Sequence, residues 1–218
     1  MPDEFYAINL RLAGRLCLVV GGGPVAARKT RGLLASQARV RLVSPHLAPD
    51  LAELAASGAI AWLARPYQKK DLIGAALVFA ATGDPVIQEQ ISRDAEELGI
   101  LVNRADDLSR GDFHLPASVR RGALFITIST SGQSPALSAV LRQCLEREIG
   151  EVYAPLAELC GRLRPFFSDR KQLSECTERL AAGVAAVSPD KREAEARRIL
   201  AVTMPERIDI SSLLRGIF

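Results

Sequence analysis

At 218 residues, with 48% apolar and 24% charged side chains, the chain is long enough for one substantial core and a smaller second one. Its longest apolar runs, 16–20 and 77–81, fall far short of the roughly 20 residues of a membrane-spanning helix, and Asp3 and Glu4 replace the basic start of a secretory leader, so a soluble cytoplasmic protein with no membrane partner is expected. The 28 basic and 25 acidic residues are interspersed and leave a formal charge of +3, which is no footprint for nucleic acid.

Residues 16–20 form an apolar, partly β-branched run that reads as a buried strand and leads directly into Gly21-Gly22-Gly23-Pro24-Val25-Ala26. A helix is predicted over 25–36, with Ala26, Thr30, Leu33 and Leu34 on one side. Strands follow over 39–43, 59–63, 77–81 and 100–103, with helices over 49–57 and 84–98 between them. Strands alternating with helices imply right-handed crossovers and a parallel sheet covered on both faces, the Rossmann pattern. A polar, turn-rich stretch over 104–111 then closes this unit.

A further strand is predicted over 124–130, and Ser134 as N-cap with Pro135 at the first helical position opens a helix. Leu137, Val140, Leu141, Cys144 and Leu145 give that helix one apolar stripe, which needs a partner surface. The rest is helical in pattern over 151–163, 169–183 and 190–200. The expected division is a Rossmann-like α/β domain over 1–113, a central α+β region over 114–150 and a helical C-terminal domain over 151–218.

The chemistry begins at the glycine turn, which has the form Gly-x-Gly-x-x-Ala. Gly21 makes the tight turn, Gly23 lets backbone amides approach a pyrophosphate, and Ala26 permits close packing of helix on strand. With Gly22, Pro24 and Val25 they form the candidate NAD cradle at a helix N-terminus. The second strand leads into Ser44 where many NAD enzymes carry an acid, and Arg41 and His46 lie nearby, so NAD and NADP are not separated by this segment. Thr82 and Asn103 sit at the C-terminal ends of later strands, where open parallel sheets bind ligands; Asp84 caps a helix. Asp106 is the candidate base, although from the residues alone turn chemistry or helix capping accounts better for the Asp106-Asp107 pair.

The scattered Cys17, Cys144, Cys160 and Cys176, with His46 and His114 the only histidines, give no readable metal site. The hydroxyl cluster that includes Thr130 and Ser131 reads either as an anion contact or as the satisfaction of strand ends and a helix cap.

Leu18 to Lys29, Ala80-Ala81-Thr82, Val102-Asn103 followed by Asp106, Phe113-His114-Leu115-Pro116-Ala117 and Ser129-Thr130-Ser131-Gly132-Gln133-Ser134-Pro135 stand in one order. Together they resemble the precorrin-2 dehydrogenase family, which includes the dehydrogenase and ferrochelatase portion of siroheme synthase, over about residues 5–150. The resemblance implies NAD-dependent oxidation of precorrin-2 to sirohydrochlorin, a homodimer built through the central region, and a catalytic role for Asp106. A tetrapyrrole rich in carboxylates would meet Arg104, Arg110, His114, Arg120, Arg121, Thr130 and Ser131. Arg104 departs from the small or apolar residues usual at that position and puts a charge beside the proposed base. Dehydrogenation alone, dehydrogenation with iron insertion, and a non-catalytic dinucleotide sensor with a partner-binding helical tail are the competing readings.

Overall fold

The structure is a computed structural model that describes residues 5–105, 107, 110–204 and 208–218. Two compact units meet at the Leu115/Pro116 boundary. In the first, β1 (Leu16–Val20), β2 (Arg39–Val43), β3 (Ala61–Leu63), β4 (Leu77–Ala80) and β5 (Leu101–Arg104) form one parallel sheet in the order β3-β2-β1-β4-β5. Helices α1 (Pro24–Ala35), α2 (Pro49–Ala56) and α3 (Pro85–Glu97) provide the crossovers, and a 3-10 turn spans Lys69–Leu72.

The central strands β1 and β4 are apolar on both sides because both sides are covered. Cys17, Val19, Val40, Leu42 and Phe79 pack with Ala26, Ala27 and Leu33 of α1 and Leu51 of α2. Leu18, Val20, Val43, Val78 and Val102 point the other way, onto Tyr67, Leu72 and Ile91. Each fully buried leucine or isoleucine contributes about 1.5–3 kcal/mol of transfer free energy. Chain order reverses direction across the sheet between β1 and β4, so the crevice beyond their C-terminal ends is the ligand position that this topology favours. β2 takes the bounds predicted for it, and α3 begins behind Asp84, whose carboxylate accepts from the amides of Val86 and Ile87.

In the second unit, β6 (Ala117–Arg121) and β7 (Leu124–Ile128) pair as an antiparallel hairpin, followed by α4 (Pro135–Glu148), α5 (Tyr153–Leu163), α6 (Arg170–Ala186), α7 (Arg192–Thr203) and α8 (Ile210–Leu214). β6 was not expected: Ala-Ser-Val-Arg-Arg offers Val119 as its one large apolar residue, and pairing with β7 creates the strand. The strand predicted over 124–130 stops at Ile128, because Thr130 turns to serve the α4 cap. Leu156, Leu159 and Leu163 of α5 form a core with Cys176, Leu180 and Val184 of α6, Ala196 and Leu200 of α7, and Leu214 of α8. None of the described helices is long and apolar enough to cross a membrane.

Candidate functional site

The three glycines after β1 do three different things. Gly21 has φ +126°, and a Cβ there would lie 2.3 Å from the Ala81 carbonyl oxygen, so the turn closes against the end of β4 only without a side chain. At Gly22 a Cβ would fall 1.9 Å from the His46 carbonyl oxygen and 2.7 Å from Ser44 Oγ. Around Gly23 a Cβ would meet nothing within 4 Å. Gly23 is the N-cap of α1, with no side-chain capping bond and no acidic residue in the first turn. The open space at Gly23 therefore faces amides that lack an intrahelical partner and the positive end of the helix dipole. This is a cradle that a side chain would fill and a pyrophosphate fits, with Pro24, Val25 and Ala26 forming its wall; Ala26 is fully buried against the sheet.

The loop after β2 rests on this turn. Ala48 N donates to the Gly22 carbonyl at 2.7 Å, Ser44 Oγ donates to the His46 carbonyl at 2.7 Å, and Trp62 Nε1 donates to the Ser44 carbonyl at 2.9 Å. Ser44 thus stands at the expected end of β2 with its hydroxyl proton committed to the loop. Arg41 turns away, donating to the carbonyls of Asp71 at 2.9 Å and Ile73 at 3.4 Å.

On the other side of the switch point, Ala81 N donates to the Val20 carbonyl at 2.8 Å, and Gln88 Nε2 donates to the Thr82 carbonyl at 2.8 Å. Thr82 Oγ1 accepts from Asp84 N at 3.3 Å. Asn103 is 2% exposed; its Nδ2 donates to the Phe113 carbonyl at 2.7 Å, while its Oδ1 is buried without a hydrogen-bond partner among the described residues. Such an acceptor costs about 1–3 kcal/mol if nothing meets it.

Arg104 lies in the interior, its side chain 2% exposed, with Nη1 2.9 Å from Glu89 Oε2. The same oxygen takes Arg110 Nη2 at 3.1 Å, so one carboxylate of α3 gathers a buried and an exposed guanidinium. Glu89 is held below the ordinary carboxylate range, first by the Arg104 hydrogen bond and then by the charge of Arg110. Asp106 lies outside the described residues; Asp107 accepts from Arg110 N at 3.3 Å through its carbonyl. The His114 ring stacks at a tilt on Phe5, centroids 4.3 Å apart.

Sequence reasoning assigned no role to Lys29 or Glu89. Lys29 lies 5.4 Å from the centre of the Phe79 ring, and burial, assisted by Arg28, lowers its amine to about 8. Its signal was its place inside the glycine-turn motif, four residues after a flanking valine. Glu89 had none, since only the fold brings it to Arg104.

In the second unit, Arg120 lies over the Phe125 ring at 4.6 Å, a cross-strand cation–π pair. Arg121 is structural in its geometry: Nε donates to the Ile149 carbonyl at 3.0 Å and Nη2 to the Glu146 carbonyl at 3.1 Å, placing its charge at the C-terminus of α4. Thr130 Oγ1 accepts from Ser134 N at 3.0 Å and lies 3.3 Å from Ser138 Oγ, while Ser131 takes φ +51° and donates through its amide to Ser129 Oγ at 3.1 Å. Ser134 caps α4 by accepting from Leu137 N at 3.2 Å.

Residues 8–117 match the family model described as putative NAD(P)-binding. Siroheme synthase 1 of Aeromonas salmonicida (strain A449) is 37% identical over 199 residues, covering 88% of this chain and 42% of that protein. The siroheme synthase of Thioalkalivibrio sulfidiphilus (strain HL-EbGR7) is 36% identical over 211 residues, covering 94% of this chain and 43% of that protein. The chain thus spans less than half the length of these curated relatives. Among solved structures, the precorrin-2 dehydrogenase SirC superposes with a TM-score of 0.70 at 26% identity, covering 91% of this chain and 98% of that one. The matched residues begin before β1 and run through the cradle and both strand ends that flank it, so the chain belongs to the NAD(P)-binding family of precorrin-2 dehydrogenase and the N-terminal region of siroheme synthase.

Proposed function

We propose that this chain catalyses the NAD-dependent dehydrogenation of precorrin-2 to sirohydrochlorin. The single observation that carries the reading is the open, amide-lined space at Gly23 in a chain that is 26% identical to a precorrin-2 dehydrogenase over 91% of its length. Bound NAD supplies the hydride acceptor. The protein's share is to hold it with the Gly21–Ala26 cradle, to orient the tetrapyrrole, and to take one proton from it.

Asp106 is the proposed proton acceptor, supported by its place in the sequence two residues after β5 ends at Arg104. Because Arg104 is engaged with Glu89, its proposed part is to fix the chain leading to Asp106 rather than to reach into solvent for a substrate acid. The exposed guanidiniums of Arg110 and Arg120 have the right chemistry for substrate carboxylates, and His114, Thr130 and Ser131 are proposed to add donors. A homodimer in the cytoplasm is also proposed. Leu137, Val140 and Leu141 on α4 are 49%, 55% and 41% exposed, an apolar stripe that a second copy would cover.

The test is to supply freshly made precorrin-2 and NAD anaerobically and follow sirohydrochlorin by absorbance together with NADH. Equal amounts of the two products are expected; NAD binding without turnover points instead to a dinucleotide sensor. Asp106→Asn is expected to lower turnover by about a hundredfold to ten-thousandfold with NAD affinity unchanged, whereas Asp107→Asn changes little. Full activity in Asp106→Asn removes that residue from the mechanism.

A further inference from the structure

We propose that the adenosine end of the cradle admits NADP as well as NAD, with the exposed imidazole of His46 donating to the ribose 2′-phosphate. The inference rests on the dinucleotide reading above and extends it to the class of cofactor accepted. Selectivity for NAD in this fold comes from a carboxylate at the end of the second strand, which bonds the ribose hydroxyls and repels a phosphate. Here β2 ends at Val43 and runs into Ser44-Pro45-His46, with no acid at the position.

The neighbouring groups do not replace it. Ser44 spends its hydroxyl proton on the His46 carbonyl, so it cannot donate to a ribose oxygen without releasing the loop. Asp50, the next carboxylate along the chain, is ion-paired with Arg31 of α1, which neutralises its repulsion. On α1 itself, Arg28 is exposed and Lys29 half-buried, and neither has a carboxylate partner among the described residues. The charge beside the cradle is therefore neutral to positive.

Arg41 does not serve the phosphate, because its guanidinium is held by the carbonyls of Asp71 and Ile73. His46 remains. Its backbone is fixed against Gly22, where a Cβ would lie 1.9 Å from its carbonyl oxygen, and the Ala48 amide bonded to the Gly22 carbonyl holds the loop in place. Its side chain is exposed, on the residue whose backbone carbonyl stands against Gly22.

Calorimetric titrations of NAD and NADP into the full chain, as wild type and as His46→Ala and His46→Asp, test this. The quantity read is the ratio of the two dissociation constants, with thermal denaturation confirming that each variant folds. In wild type the two constants should agree within about tenfold, and His46→Asp should weaken NADP relative to NAD by about tenfold or more, because a carboxylate then faces the phosphate. His46→Ala should move the ratio in the same direction by less. NADP binding about a hundredfold or more weaker than NAD in wild type overturns the inference, as does a ratio unmoved by His46→Asp. Failure of both dinucleotides to bind overturns the cradle reading itself, and this inference with it.

Discussion

The glycine turn and helix α4 present opposite situations. In the turn, Ala81 closes on Gly21 and His46 on Gly22, leaving one open direction at Gly23. On α4 the N-terminus is capped and Arg121 holds the C-terminus, yet Ser138 is the single buried residue within the helix and the apolar stripe stays exposed. The first region has one open position, at the uncapped N-terminus of α1, of the size and charge preference that suit an anionic group. The second packs one side on the β6–β7 hairpin and leaves Leu137, Val140 and Leu141 exposed, as an interface helix does.

The sharpest way to break this comparison is within the turn. Gly22→Ala places a methyl group on a backbone oxygen that cannot rotate away, so the β2–α2 loop must shift; a loss of about 1–3 kcal/mol of stability is expected, together with loss of NAD binding. Chemical denaturation and calorimetry on the same sample check both.

Next comes a matched pair in the second unit. Leu159→Ala, at a fully buried position of α5, should cost about 2–5 kcal/mol. Val140→Asp, on the exposed stripe, should leave the chain folded but convert the proposed dimer to a monomer in light scattering. A monomeric wild type at micromolar concentration would refute the interface reading of α4.

The last effect is read in the pH dependence of stability and concerns Asp71, which is buried. Burial pushes its carboxyl up, but the Arg65 hydrogen bond at 2.6 Å, the Gln68 amide at 2.9 Å and the charges of Arg65 and Arg41 outweigh this and hold it below the ordinary range. A depressed folded-state pKa contributes stability above the unfolded value of about 3.9, and that stability is lost as pH falls through the folded value. Asp71→Asn should therefore show a shallower fall of melting temperature below about pH 4 than wild type.

Much of the first unit was legible because its signals are local. The bounds of β1 follow from a continuous apolar run and those of β2 from Val40, Leu42 and Val43, and Asp84, like Ser134 in the second unit, announces its helix by cap chemistry. The 3-10 turn at Lys69–Leu72 and the short α8 were invisible, since four or five residues give no readable period. At the site, the need for glycine at 21 and 23 could be read from the motif, but the need at 22 depends on a carbonyl more than twenty residues away. Ser44 and Arg104 were chosen for what their side chains can bind; only the fold reveals that the one bonds its own loop and the other is buried against α3.

The central claim is that the space at Gly23 holds the dinucleotide, and Gly23→Val tests it most directly. A Cβ there meets nothing within 4 Å, so the variant should fold with a melting temperature close to that of wild type. Calorimetric titration of NAD into that folded variant should show no measurable binding, whereas an affinity equal to that of wild type would contradict the account and put the dinucleotide elsewhere.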